Sequence, residues 1–136
     1  MMLTDTGPLV AMIDRKDANS TRCWTASRKL NKPLVTTWPC LTEAAYQLRK
    51  VGEWYLVSAL WGLVDQGILA IHQPDDNELR RVRELMKTYR DLPCDLADAS
   101  LIAAAETLGL RAIFTLDSHF YAYRLEDSTA LEVLPQ

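Results

Sequence analysis

Met2-Leu3-Thr4-Asp5-Thr6-Gly7-Pro8-Leu9-Val10-Ala11 decides how the rest of the chain is read. Met2-Leu3-Thr4 has the character of a very short buried strand, and Asp5 ends it. Gly7 and Pro8 punctuate the turn that follows. Pro8 lacks an amide, which a first helical residue does not need, so a short apolar helix is expected to open there and run through Ile13. A strand that feeds straight into a helix, with a carboxylate at the junction, is the opening step of a strand–helix alternation.

The alternation continues. Residues 17–30 are expected to form a helix, with Asp17 as its N-cap and Trp24 facing inward. Residues 33–37 are a β-branched strand candidate. Pro39 then opens a helix over 39–50, in which Leu41, Ala44, Ala45 and Leu48 share helical spacing. Gly52 breaks it, and a further helix covers 53–66. Residues 68–71 are a short strand, and 74–90 a helix with an apolar stripe of Leu79, Val82, Leu85, Met86 and Tyr89. Arg80, Arg81, Arg83 and Lys87 line its wetter side. After the loop Leu92-Pro93-Cys94, a helix runs over 95–108 with Gly109 as its C-cap. Residues 112–115 form a strand, 118–124 one or two helical turns, and 131–134 a last strand. Short apolar strands separated by helices imply an α/β fold: a mainly parallel sheet covered on both faces and joined by right-handed crossovers.

With 136 residues, the chain is expected to be one domain, 1–136. About half is apolar, enough for one sizeable core. Fifteen Lys and Arg stand against 18 Asp and Glu, a formal charge of -3 that does not announce a polyanion binder. A basic rim beside an acidic site, or a bound divalent cation, would reverse the sign locally. Cys23, Cys40 and Cys94 are odd in number and far apart, which suggests neither a disulfide framework nor a thiolate zinc site. His72 and His119 are too few for a zinc constellation. No basic-then-apolar leader and no run of roughly 20 apolar residues is visible, so a cytoplasmic, reduced protein without membrane contact is expected.

The candidate chemistry lies in the acidic residues. Asp5 follows one short strand at its carboxyl end, and Asp117 stands in the same relation to 112–115. In open α/β sheets the functional crevice borders the carboxyl ends of the strands. Glu43 lies in the first turns of a helix and Asp98 in the first turn of another, where exposed amides and the helix dipole favour negative charge. Asp95, three residues before Asp98, is either a further carboxylate of the group or simply the N-cap. Taken singly, Asp5 and Asp117 read equally well as turn residues, Glu43 as a solvated helix residue and Asp98 as a favourable first-turn charge. Taken together, converged carboxylates suit a hard divalent ion such as Mg²⁺ or Mn²⁺, with substrate phosphate completing the shell.

Four segments then resemble the PIN-domain family, in particular the VapC-like toxin ribonucleases of toxin–antitoxin pairs. They are 3–11, Thr42-Glu43, Asp95-Leu96-Ala97-Asp98-Ala99-Ser100-Leu101-Ile102-Ala103, and Thr115-Leu116-Asp117-Ser118-His119-Phe120, in family order. The resemblance implies a three-layer α/β/α sandwich around a five-stranded, mainly parallel sheet of order 3-2-1-4-5. It implies metal positions at Asp5, Glu43, Asp98 and Asp117, with Asp95, Thr6, Thr115 and Ser118 auxiliary to them. Ser118 departs from the acidic or Asn residue of many relatives, which leaves one or two Mg²⁺ or Mn²⁺ ions open. The implied reaction is endonucleolytic hydrolysis of an RNA phosphodiester, with no histidine needed as general base; His119 reads as a surface or structural residue. Tyr123 reads as core. Arg15, Lys16, Arg49, Lys50 and Arg124 are candidate RNA contacts, weighed against solvated helix-end roles.

The resemblance also implies a homodimer and a small antitoxin partner. Trp38, Trp54 and Trp61 are candidates for such contacts, weighed against burial in the monomer, which the reading favours. Two alternatives remain: a PIN-like RNA-processing nuclease without an antitoxin, and a catalytically silent RNA-binding or protein-interaction module. A phosphatase is disfavoured, because a phosphate-cradling Gly-rich loop and a Walker motif are both missing from the sequence.

Overall fold

The computed structural model describes residues 1–135. Its strands are β1 (Met2–Thr4), β2 (Leu34–Thr37), β3 (Leu69–His72), β4 (Ala112–Phe114) and β5 (Glu132–Leu134). They form one sheet of order β3-β2-β1-β4-β5 in which every pairing is parallel. That is the expected order, and it puts β1 and β4 side by side, with Leu3 opposite Ile113 and Thr4 opposite Phe114.

The helices are α1 (Thr6–Ile13), α2 (Ser20–Leu30), α3 (Trp38–Asp65), α4 (Asp76–Thr88) and α5 (Leu96–Leu108). Neighbouring strand residues point to opposite faces. Met2, Leu34 and Phe114 therefore pack with Leu9, Leu41, Leu48 and Leu60 of α1 and α3. Leu3, Val35 and Ile113 pack with Val82 and Leu85 of α4 and Leu101 and Ile102 of α5. Two cores sandwich the sheet, and both are apolar enough to drive its formation.

Several helix ends differ from expectation. The first helix opens at Thr6, two residues before Pro8, because the Asp5 carboxylate accepts the Thr6 amide at 2.7 Å and caps the helix itself. Asp17 does not cap the second helix. Its carboxylate takes the Asn19 amide at 2.8 Å in a turn, and the helix starts at Ser20. The fourth helix starts at Asp76 rather than Pro74, capped by the Asp75 carboxylate on the Glu78 amide. Around Gly52 the expectation holds: α3 is two helical segments, separated at Gly52 and Glu53, whose backbone is not helical. Glu53 takes φ 53°, ψ -142°, a region nearly confined to glycine. A Cβ on Gly52 would stand 2.5 Å from the Leu56 side chain, so the bend needs a residue without one. Gly109 ends α5 with φ 68°, as expected.

The tryptophans also depart from expectation. Trp38, Trp54 and Trp61 are exposed, with Trp54 at 69%, and Tyr46 and Tyr55 of α3 join them. Burial in the monomer is therefore not what they do. Trp24 is half-buried and donates its indole N–H to the Met12 carbonyl at 2.8 Å. No helix among the described residues is long and apolar enough to cross a membrane.

Candidate functional site

Asp5 leaves β1 at its carboxyl end, and its backbone N–H continues the ladder to the Phe114 carbonyl at 2.9 Å. Thr115 is thereby brought alongside, and its hydroxyl donates to Asp5 Oδ2 at 2.7 Å. The same Thr115 oxygen accepts the Asp117 amide at 3.0 Å. One hydroxyl thus ties the carboxyl ends of the two strands, and with them Asp5 and Asp117. Asp117 caps a short 3-10 turn over Ser118–Tyr121 by accepting the His119 amide at 2.9 Å.

Asp98 approaches from α5. Asp95 is the N-cap of that helix, its carboxylate accepting the Asp98 amide at 2.8 Å. The cap reading of Asp95 is therefore correct, and the cap faces the same cleft. Asp98 is buried, and the Tyr123 hydroxyl donates to its Oδ2 at 2.8 Å. Tyr123 is a core residue as expected, packed edge-on against Phe120 and Tyr89. Its hydroxyl end nevertheless belongs to the cleft. Sequence reading missed that contact, because nothing in Phe120-Tyr121-Ala122-Tyr123 says which tyrosine turns inward.

Glu43 sits in the second turn of α3 and is exposed. The Thr6 hydroxyl reaches its Oε2 at 3.3 Å while also donating to the Cys40 carbonyl at 3.1 Å. Thr6 therefore links α1, and Asp5 beside it, to the first turns of α3. Ser118 is exposed in the 3-10 turn. His119, the next residue, is exposed as expected and stands beside Asp117. Its imidazole Nδ1 lies 3.5 Å from Asp117 Oδ1. One donor atom each from Asp98, Asp117 and His119 falls within a 4.8 Å cluster.

The electrostatics are those of carboxylates crowded without a basic partner. Burial pushes the Asp98 carboxyl up to about 7, against the pull of the Tyr123 hydroxyl; the charges of Asp95, Asp5 and Asp117 raise it further. Burial raises Asp5 too, opposed by its hydrogen bonds from Thr115 and Thr6. Glu43, exposed overall, is raised by partial desolvation of its carboxyl and then by the charge of Asp95. Among the described residues no Lys or Arg pairs with any of them. Buried anions without cations are costly. Oxygen donors in this number, short of positive charge, fit a hard divalent ion.

The expected basic contacts divide. Arg15 and Lys16 lie past the far end of α1, about 12 Å along the helix from the cleft. The Arg15 guanidinium stacks on Trp24 at 4.9 Å. Arg49 and Lys50 are exposed further along α3, and Lys50 rests over Tyr46 at 5.1 Å. Arg124 donates to the Tyr121 and Tyr123 carbonyls at 2.7 and 2.9 Å, closing the turn that carries Tyr123. None of the five is part of the acidic group.

Comparison with known proteins adds two findings. The family model described as "PIN domain" matches residues 2–125. Among solved structures, the chain is similar to a crystal structure of Mycobacterium tuberculosis VapC20, a sarcin-ricin loop cleaving toxin. That similarity has a TM-score of 0.76 at 16% identity and covers 90% of this chain and 94% of the other. At that identity it speaks for the fold. No curated protein sequence matches.

Proposed function

The chain belongs to the PIN-domain family, and on that premise we propose that it is a metal-dependent endoribonuclease, the toxin of a toxin–antitoxin pair. The observation that carries the reading is the pair of buried carboxylates, Asp5 and Asp98, at the carboxyl edge of the sheet, with no cationic partner among the described residues. Asp5, Glu43, Asp98 and Asp117 would hold the ion. Mg²⁺ or Mn²⁺ bound there would supply the positive charge that offsets the carboxylates and polarises a phosphodiester toward attack by water.

The chain's own groups hold that constellation. Thr115 fixes Asp5 and Asp117 in register, and Tyr123 fixes Asp98. Thr6 holds Glu43 toward Asp5. Asp95, engaged as a cap, adds negative charge at the rim. Ser118 is a neutral residue of the same turn. Arg124, in the turn that carries Tyr123, and Arg49 and Lys50 of α3 would contact RNA phosphates.

The toxin part of the reading draws on the fold likeness to VapC20. A homodimer and a small antitoxin are the partners, and the exposed Trp38, Trp54 and Trp61 are the surfaces for them. One nuclease domain, working in the cytoplasm, is sufficient for this activity.

The test is to incubate purified protein with RNA and Mg²⁺ or Mn²⁺, beside a D98N control, and to sequence the new RNA ends. Discrete ends that appear with the wild type, need the ion and vanish in D98N are expected. Cleavage that persists in folded D98N, or cleavage unaffected by a chelator, overturns the reading.

A further inference from the structure

His119 is an exposed group at the cleft that the proposed chemistry leaves unused. The other histidine is engaged elsewhere: His72 Nε2 lies 2.7 and 3.0 Å from the two oxygens of Glu78. The His119 ring, by contrast, makes no hydrogen bond among the described residues beyond its 3.5 Å approach to Asp117. It is exposed, so a ring nitrogen is open to an ion.

The local backbone explains why the ring stands there. Asp117 caps the 3-10 turn by taking the His119 amide. That bond folds residue 119 back over the carboxylate of residue 117 and leaves the imidazole beside it. Asp98 comes from α5 on the other side, held by Tyr123. Donor atoms of Asp98, Asp117 and His119 then all lie within 4.8 Å of one another. Ligand bonds of about 2.1 Å place adjacent octahedral donors about 3 Å apart and opposite ones about 4.2 Å apart. Closing the group on one ion therefore takes shifts on the order of an ångström, within reach of the exposed His119 side chain.

We infer that His119 is a nitrogen ligand of the divalent ion in this cleft and makes the site favour Mn²⁺ over Mg²⁺. The inference rests on the acidic cleft being a metal site. The chemical ground is donor type. Mg²⁺ holds oxygen ligands and water and parts with them reluctantly. First-row transition ions accept imidazole readily, and Mn²⁺ still tolerates a carboxylate-rich shell. Adding one imidazole to the carboxylates therefore weights the choice toward Mn²⁺, whereas an all-oxygen site would not.

The test uses the full chain with MnCl₂ and MgCl₂ in titration calorimetry, on wild type, H119A, H119D and D98N. Pulsed electron paramagnetic resonance of the Mn²⁺-loaded protein gives a second readout, nitrogen modulation from a directly bound imidazole. Wild type is expected to bind Mn²⁺ more tightly than Mg²⁺ and to show that modulation. In H119A, Mn²⁺ affinity is expected to fall at least about tenfold, since loss of groups merely supporting a ligand already costs that much. Mg²⁺ affinity falls less, and the modulation disappears. H119D is expected to restore binding with the preference moved toward Mg²⁺. An unchanged Mn²⁺ to Mg²⁺ ratio in H119A, or modulation that survives in it, overturns the inference and leaves the cleft's metal role standing. If wild type binds neither ion, or D98N binds both as well as wild type does, the metal reading of the cleft falls as well.

Discussion

Two acidic clusters in this molecule are handled in opposite ways. On the outer face of α4 and α5, Glu106 and Glu84 are answered by Arg81. Its Nε and Nη2 reach both oxygens of Glu106 at 2.8 and 3.0 Å, and its Nη1 reaches Glu84 at 3.0 Å. The Glu126 amide completes Glu106. At the carboxyl edge of the sheet, Asp5 and Asp98 receive, among the described residues, only neutral donors: hydroxyls, backbone N–H groups and the Cys40 thiol. The first cluster is self-sufficient, and its charges serve the fold. The second leaves negative charge buried and unmatched, which folding alone does not require. The comparison teaches that a carboxylate not spent on the fold is recognised less by its burial than by the cation it lacks.

The largest expected difference between the two clusters is in activity. D5N and D98N should each lower RNA cleavage by more than about 100-fold, whereas R81M should leave the specific activity of the folded protein within about twofold of wild type. End-labelled RNA assays with circular dichroism as a folding control would check this. An inactive but folded R81M would break the comparison.

Stability should divide the other way. R81M strands a partly buried Glu106 and is expected to cost about 1–3 kcal/mol. D98N removes an unmatched anion, so without metal it should melt no lower than wild type at pH 8, and the rise in melting temperature on adding Mn²⁺ should vanish. Differential scanning calorimetry with and without the ion measures both.

A third expectation concerns pH. The Asp98 carboxyl, held at about 7 by burial, binds a proton more tightly in the folded chain than in the unfolded one. Between roughly pH 4 and pH 7 the folded state therefore carries more protons, and stability must fall as pH rises. Asp98's contribution is fully present below the unfolded value and lost as pH passes the folded one. Metal-free protein should be measurably more stable near pH 5 than near pH 8 in this respect, and D98N should flatten that slope. A D98N slope identical to wild type would show that Asp98 is not the group responsible.

The smallest effect is that of Y123F. Removing one neutral hydroxyl should cost about 1 kcal/mol of stability and weaken ion binding several-fold without abolishing cleavage. A Y123F protein as inactive as D98N would mean that the hydroxyl itself takes part in the reaction.

Much of the fold was legible because its signals are local. Gly52 and Gly109 mark a bend and a helix end by lacking a Cβ, and Asp95 announces a cap by its place before Leu96-Ala97-Asp98. The strand order, by contrast, came from the family resemblance; short strands of three or four residues carry no information about their neighbours. Asp5 and Asp117 could be assigned to strand ends, but their meeting depended on that order. What stayed hidden depends on side-chain direction across the fold. Tyr123 bonds Asp98 from 25 positions away, and His119 turns toward the cleft only because Asp117 caps the turn. Trp54 follows directly on Glu53, whose positive-φ backbone no residue preference foretells.

Of the acidic residues around the cleft, Asp5, Asp95 and Asp117 are also helix or turn caps. Descendants of such a chain that lose the activity would still be under pressure to keep those three, since each starts an element of the fold. Their survival in a sequence is thus weak testimony that an enzyme is alive. Glu43, exposed and capping nothing, has no such second employment. It is the residue whose drift would first distinguish a silent copy from a working one.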